Sequence, residues 1–102
     1  MGQSRIAGWR QYCSASQEAE TTAPLEVAKA WSAAKRYPVF VGEFGAYSKA
    51  YDASRIAFNR TMRSAMEARG MSWTYWEFAA GFSVYDPAAL SFRQGMLESL
   101  LR

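Results

Sequence analysis

Glu43 is the residue in this chain best placed to do chemistry. It follows the apolar run Val39-Phe40-Val41, with Gly42 before it and Gly45 close behind. A carboxylate at the end of a buried strand is costly unless a hydrogen bond or charge compensates it. Ionised, such a group can act as a nucleophile or take up a proton. The flanking glycines allow backbone or ligand to come close. A structural alternative stands beside this reading: acidic residues after strands also close turns and pair with neighbouring loops. The second informative segment is Ser72-Trp73-Thr74-Tyr75-Trp76-Glu77-Phe78. Trp76 offers a large, flat, rigid indole that either stacks on a ligand or fills a core. Glu77 follows it directly, so in a regular strand the two point to opposite faces.

Composition removes several kinds of chemistry. Histidine is absent, and with it the commonest general base and metal ligand. Cys13 is the only cysteine, which excludes an internal disulfide and a cysteine-based zinc cage. With no histidine to activate it, that thiol reads as a bystander. The formal charge is +3, but the basic residues are scattered and their longest run is Lys35-Arg36. No phosphate-tracking stripe results, so nucleic acid is not an expected partner. No apolar segment approaches the roughly 20 residues that span a bilayer. Nor does Met1-Gly2-Gln3-Ser4-Arg5 lead into an apolar stretch of signal-peptide length. A soluble chain without a membrane partner is expected, and localisation is not encoded in these residues. Aromatic residues make up 16% of the chain, enough for a dense core or for a surface that stacks on flat ligands.

The elements that must hold Glu43 and Trp76 are readable from apolar spacing. Residues 1–22 are weakly patterned and read mostly as loop. Thr21-Thr22-Ala23-Pro24 resembles a helix start, and Leu25, Ala28 and Trp31 then recur at helical spacing up to about Lys35. Val39-Phe40-Val41 reads as a buried strand in which Val39, Val41 and Glu43 share one face. After a polar loop, Asp52 or Ser54 caps a second helix, Phe58, Met62, Ala65 and Met66 line its apolar face, and Gly70 stops it. Residues 72–78 form a second strand, with Ser72, Thr74 and Trp76 on one face and Trp73, Tyr75 and Glu77 on the other. A long loop follows from Ala79 to Ser91 with a turn at Asp86-Pro87. A closing helix carries Phe92, Met96, Leu97, Leu100 and Leu101. The alternation predicts a single α/β domain over residues 1–102 with parallel strands. Two parallel strands make a poor sheet alone, so the chain describes part of an α/β structure better than all of one.

The segment Val41-Gly42-Glu43-Phe44-Gly45 resembles the seventh-strand nucleophile motif of glycoside hydrolase family 5 cellulases, and its continuation Ala46-Tyr47-Ser48-Lys49 is similar to bacterial members. Trp73-Thr74-Tyr75-Trp76-Glu77-Phe78 resembles the family's eighth strand. Gly81-Phe82-Ser83-Val84-Tyr85-Asp86-Pro87 and the final Leu-rich helix are similar to its closing segment. The resemblance covers roughly residues 24–102.

It implies a partial (β/α)8 TIM barrel holding about the last two strand–helix units, with self-association into a homo-oligomer as a way to complete the sheet. By position, it makes Glu43 the catalytic nucleophile and Trp76 the platform for the sugar at the cleavage point, with Phe82 and Tyr85 lining the cleft. The implied substrate is a β-1,4-glucan, cleaved by retaining double displacement, and that chemistry needs no cofactor. The stacking argument for Trp76 stands on its own, since a sugar ring exposes a C–H face that packs on an indole. The family's acid/base motif, an asparagine followed by a glutamate, is missing: the only asparagine is Asn59, and Arg60 follows it. Glu77 reads as a structural carboxylate paired with Arg69 or Arg55. Weak or absent hydrolysis by the isolated chain is therefore expected. The competing readings are a glucan-binding module without catalysis and a self-assembling fragment.

Overall fold

The computed structural model describes residues 15–102. Cys13 and the first part of the expected N-terminal loop lie outside the described residues. The chain runs α1 (Ala15–Lys35), β1 (Phe40–Phe44), α2 (Asp52–Ala68), β2 (Ser72–Tyr75), β3 (Tyr85–Asp86), β4 (Ser91–Phe92) and α3 (Met96–Leu101). Among the described residues this is an α/β arrangement with two small sheets. β1 and β2 pair in parallel, as the alternation predicts, and β3 and β4 form an antiparallel hairpin. No helix among the described residues is long and apolar enough to cross a membrane.

Helix α1 begins at Ala15, so the expected loop is helical from that point on. Ala15-Ser16-Gln17-Glu18-Ala19-Glu20 consists mainly of strong helix formers, and propensity carries the helix where the apolar pattern is weak. Thr21 and Thr22 donate their hydroxyls back to the Gln17 and Glu18 carbonyls at 2.8 and 3.0 Å. Those bonds let the polar side chains sit inside a helix. Pro24, expected at the first turn, lies within the helix. Leu25 is buried and Ala28 packs beside the core, whereas Trp31 is half exposed and stacks on Tyr37 with ring centres 6.1 Å apart.

Helix α2 links the parallel strands and packs against α1, α3 and β2. It starts after Tyr51 without a side-chain cap, so neither Asp52 nor Ser54 takes the capping place read from the sequence. Its other end follows the glycine signal. Gly70 adopts φ 69°, its N–H reaches the Glu67 carbonyl at 3.1 Å, and the Met71 N–H reaches the Met66 carbonyl at 2.9 Å. This left-handed stop pays no Cβ penalty at glycine, and it brings the buried Met66 and Met71 together across the turn.

The core joins Leu25, Phe44, Ala65, Met66, Met71, Val84, Met96 and Leu100. Met66 is fully enclosed, and burying a side chain of that size contributes roughly 1.5–3 kcal/mol. The expected loop from Ala79 to Ser91 contains strand β3, and Phe92 pairs with Tyr85 in the hairpin rather than riding on the closing helix. Helix α3 starts only at Met96, because Gly95 before it is left-handed at φ 78° and breaks the helical path. Asn59 is fully buried, with its amide nitrogen 3.8 Å from the Met96 sulfur and no partner for its Oδ1 among the described residues.

Candidate active site

The pairing of β1 with β2 contains an irregularity that decides where Glu43 points. Val41 pairs with Trp73 and Phe44 with Tyr75, so β1 advances one residue more than β2 between these positions. An extra residue of this kind bends a strand and re-aims its side chains. Val39 and Val41 pack on the core, and after the irregularity Phe44 joins them there at 7% exposure. Glu43 is exposed instead. The expectation that Val39, Val41 and Glu43 share a face is therefore corrected: regular alternation would have turned the carboxylate towards the helices, and the additional residue turns it away.

Trp76 lies just past the end of β2, which stops at Tyr75 rather than running to Phe78. Its N–H donates to the Phe44 carbonyl at 2.7 Å, so the residue after Glu43 is tied to Trp76 through the backbone. Trp76 is 53% exposed among the described residues. The Thr74 hydroxyl donates to the Gly42 carbonyl across the strands. The peptide bond between Trp76 and Glu77 is cis. Of the two glycines flanking Glu43, only Gly45 is needed for a close approach. A Cβ there would lie 2.0 Å from the Trp76 carbonyl oxygen, whereas one on Gly42 would make an ordinary contact of 3.6 Å with the Phe40 ring.

The loops beyond the strand ends are held by groups the motifs did not single out. The Arg55 side chain on α2 is almost wholly buried and donates to the Ala46 carbonyl at 3.2 Å and the Ser83 carbonyl at 2.7 Å. The Tyr75 hydroxyl donates to the Phe82 carbonyl at 2.8 Å and accepts from the Ala46 N–H at 3.3 Å. The Ser48 N–H reaches the Gly81 carbonyl at 2.8 Å. A charged residue at a core position of α2 was the one available sequence signal for Arg55.

Glu77 has a structural place. Its carboxylate accepts from the Ala80 N–H at 2.6 Å and the Phe82 N–H at 2.9 Å, folding residues 77–82 into a turn and ending the strand. The Phe82 and Ala80 N–H groups hold this carboxyl below its ordinary value of 4.5, and the nearby Arg55 charge acts in the same direction. Among the described residues, neither arginine expected to pair with Glu77 forms an ion pair with it: Arg69 pairs with Glu26, and Arg55 spends its donors on the Ala46 and Ser83 carbonyls.

Phe82 and Tyr85 sit in different surroundings. Phe82 is half-buried beside Tyr47, ring centres 5.5 Å apart, on the loop joined to Ala46. Tyr85 belongs to the hairpin, where it stacks on Phe78 at 4.9 Å and meets Phe92 edge-on at 5.4 Å. Glu43 and Trp76 are thus brought to adjacent strand ends and Phe82 lies on the loop that follows Trp76, while Tyr85 is part of a separate aromatic cluster. Among the described residues no group of three or more acidic, cysteine or histidine side chains could hold a metal ion.

Residues 3–81 match the model of Cellulase (glycosyl hydrolase family 5). The chain belongs to glycosyl hydrolase family 5. The match also takes in the N-terminal segment that shows little pattern by itself. Endoglucanase 3 of Fibrobacter succinogenes is 34% identical over 64 residues, which is 62% of this chain and 10% of that protein. Endoglucanase Cel5A of Thermotoga maritima superposes with a TM-score of 0.83 at 36% identity, over 89% of this chain and 29% of its own. The same enzyme has been solved with cellobiose and with mannotriose. Cellulose synthase subunit Z of Clostridioides difficile superposes with a TM-score of 0.83 at 27% identity, over 90% of this chain and 31% of its own. The chain therefore spans under a third of the length of these solved relatives.

Proposed function

We propose that this chain carries the nucleophile side of a retaining β-1,4-glucan hydrolase site. In this reading a Glu43 oxygen attacks the anomeric carbon while the glucosyl ring packs on the Trp76 indole, with Phe82 flanking the sugar chain. The bond from the anomeric carbon to the leaving oxygen breaks as the new ester bond forms. Water then cleaves the ester and returns the carboxylate. The observation that carries the reading is the exposure of both Glu43 and Trp76 at neighbouring ends of parallel strands, joined by the Trp76 to Phe44 backbone bond. Catalytic groups of β/α barrels gather at that end of the strands.

Such a mechanism needs a second carboxyl, about 5–5.5 Å from the nucleophile, to protonate the leaving oxygen. Glu77 is unsuited to this, because its backbone partners favour the ionised form and a general acid must keep its proton. The acid therefore comes from outside this pair of strands. Its absence withholds a factor of about 10²–10⁴, so the isolated chain hydrolyses glucan poorly. The chain forms one domain over residues 1–102, corresponds to the last two strand–helix units of an eight-stranded barrel, and associates with further copies through its uncovered strands.

The test is to treat the pure protein with a 2-fluoro-cellobioside bearing an activated leaving group, which needs no acid, and to locate the adduct by mass spectrometry. Labelling at Glu43 that disappears in Glu43→Gln supports the reading, and labelling elsewhere or nowhere removes it. The structural role of Glu77 favours one alternative, binding without cleavage. That alternative predicts glucan retention lost in Trp76→Ala and kept in Glu43→Gln, without any adduct.

A further inference from the structure

We infer that Arg55 and Tyr75 are positioning residues, a two-point brace that sets the spacing between the loop following Glu43 and the loop following Trp76. Both side chains bridge the same two places. Ala46 is held at its carbonyl by Arg55 and at its N–H by the Tyr75 hydroxyl. Across the gap, Arg55 holds the Ser83 carbonyl and Tyr75 the adjacent Phe82 carbonyl.

The chemistry of each side chain fits this task. A guanidinium is a rigid fork of donors, so two carbonyls bound to it take a fixed separation. Enclosing that charge is expensive, and only 1% of Arg55 remains exposed. No carboxylate forms an ion pair with it among the described residues, so its donors are spent on loop carbonyls. Tyr75 adds a hydroxyl that donates on one side and accepts on the other, while its ring stays locked edge-on against Phe44 at 5.4 Å. Helix α2 thereby reaches the strand ends through Arg55, and the rigid helix rather than the loops themselves sets the gap.

The consequence for catalysis rests on the nucleophile reading above, and the experiment separates the two. Tyr75→Phe removes one oxygen and keeps the ring, and Arg55→Lys keeps the charge but can reach only one carbonyl well. Both variants and the wild type are compared well below their thermal midpoints, with native circular dichroism as the entry condition. In each variant the maximal rate of Glu43 labelling by the fluoro-cellobioside falls about tenfold while inactivator affinity changes less, as expected for misplacement of a reacting group. Amide exchange at Ser48 accelerates while the amides of α2 keep their protection, a pattern that general destabilisation does not produce.

Wild-type labelling rates and unchanged Ser48 exchange in folded variants overturn the brace and leave the nucleophile reading standing. If the wild type is not labelled at all, the nucleophile reading fails and Ser48 exchange alone decides: faster exchange in both variants sustains the brace, and unchanged exchange ends it. A Tyr75→Phe chain that exchanges faster everywhere, α2 included, also counts against it.

Discussion

Gly45 and Trp76 meet backbone to backbone: a β-carbon on Gly45 would stand 2.0 Å from the Trp76 carbonyl oxygen and 3.1 Å from its carbonyl carbon. A peptide group cannot retreat as the end of a side chain can, so nothing larger than hydrogen fits between the two strand ends.

Gly45→Ala is accordingly expected to destabilise the fold by about 3 kcal/mol or to push the strand ends apart. Gly42→Ala is the control, with an ordinary contact and no positive φ, and changes stability by less than about 1 kcal/mol. Urea unfolding of the two variants side by side checks the contrast. Equal midpoints would show that the approach at Gly45 relaxes freely.

The Glu77 turn makes part of the stability depend on pH. Its folded pKa lies below the ordinary value of 4.5, chiefly through the Phe82 and Ala80 N–H bonds. The unfolded chain therefore binds the proton more readily. The contribution is complete above the unfolded value and is lost as pH falls through the folded one. Thermal midpoints between neutral pH and about pH 3 should fall more steeply for the wild type than for Glu77→Gln, which starts lower at neutral pH. Parallel curves would show that the two N–H bonds do not distinguish the ionised carboxylate.

Self-association should be measurable. Among the described residues β1 and β2 each have a single partner strand, and Phe40 on β1 is 62% exposed. Open strand edges and uncovered apolar side chains favour pairing between chains. Light scattering is expected to give a mass that rises with concentration above the 11.5 kDa of one chain, and Phe40→Lys should lower it. A uniform monomer at high concentration would remove the proposal.

Much of the local architecture was legible in the chain. Gly70 marked the end of α2, and the apolar spacing of Phe58, Met62, Ala65 and Met66 marked its buried side; Val39-Phe40-Val41 located β1, but the strand runs on through Gly42 to Phe44 and Phe40 is exposed rather than buried. These signals are short-range, since each depends on residues within a turn or two of one another. The start of α1 was not legible, because alanine, glutamine and glutamate favour helix through propensity and leave no apolar stripe. The hairpin was hidden for another reason. Phe92 suits a helix face as well as a strand, and its pairing with Tyr85 across the turn tips the balance.

Residue types and their order determined that a carboxylate and an indole would stand near strand ends. Tertiary structure alone decided which way the carboxylate faces, which glycine is indispensable, and that Arg55 and Tyr75 hold the two loops together. Each of those outcomes depends on a contact between residues far apart in the chain: Phe44 with Tyr75, Gly45 with Trp76, Arg55 with Ser83. Such contacts exert force only after the intervening chain has closed, and no local pattern records how the ends will meet.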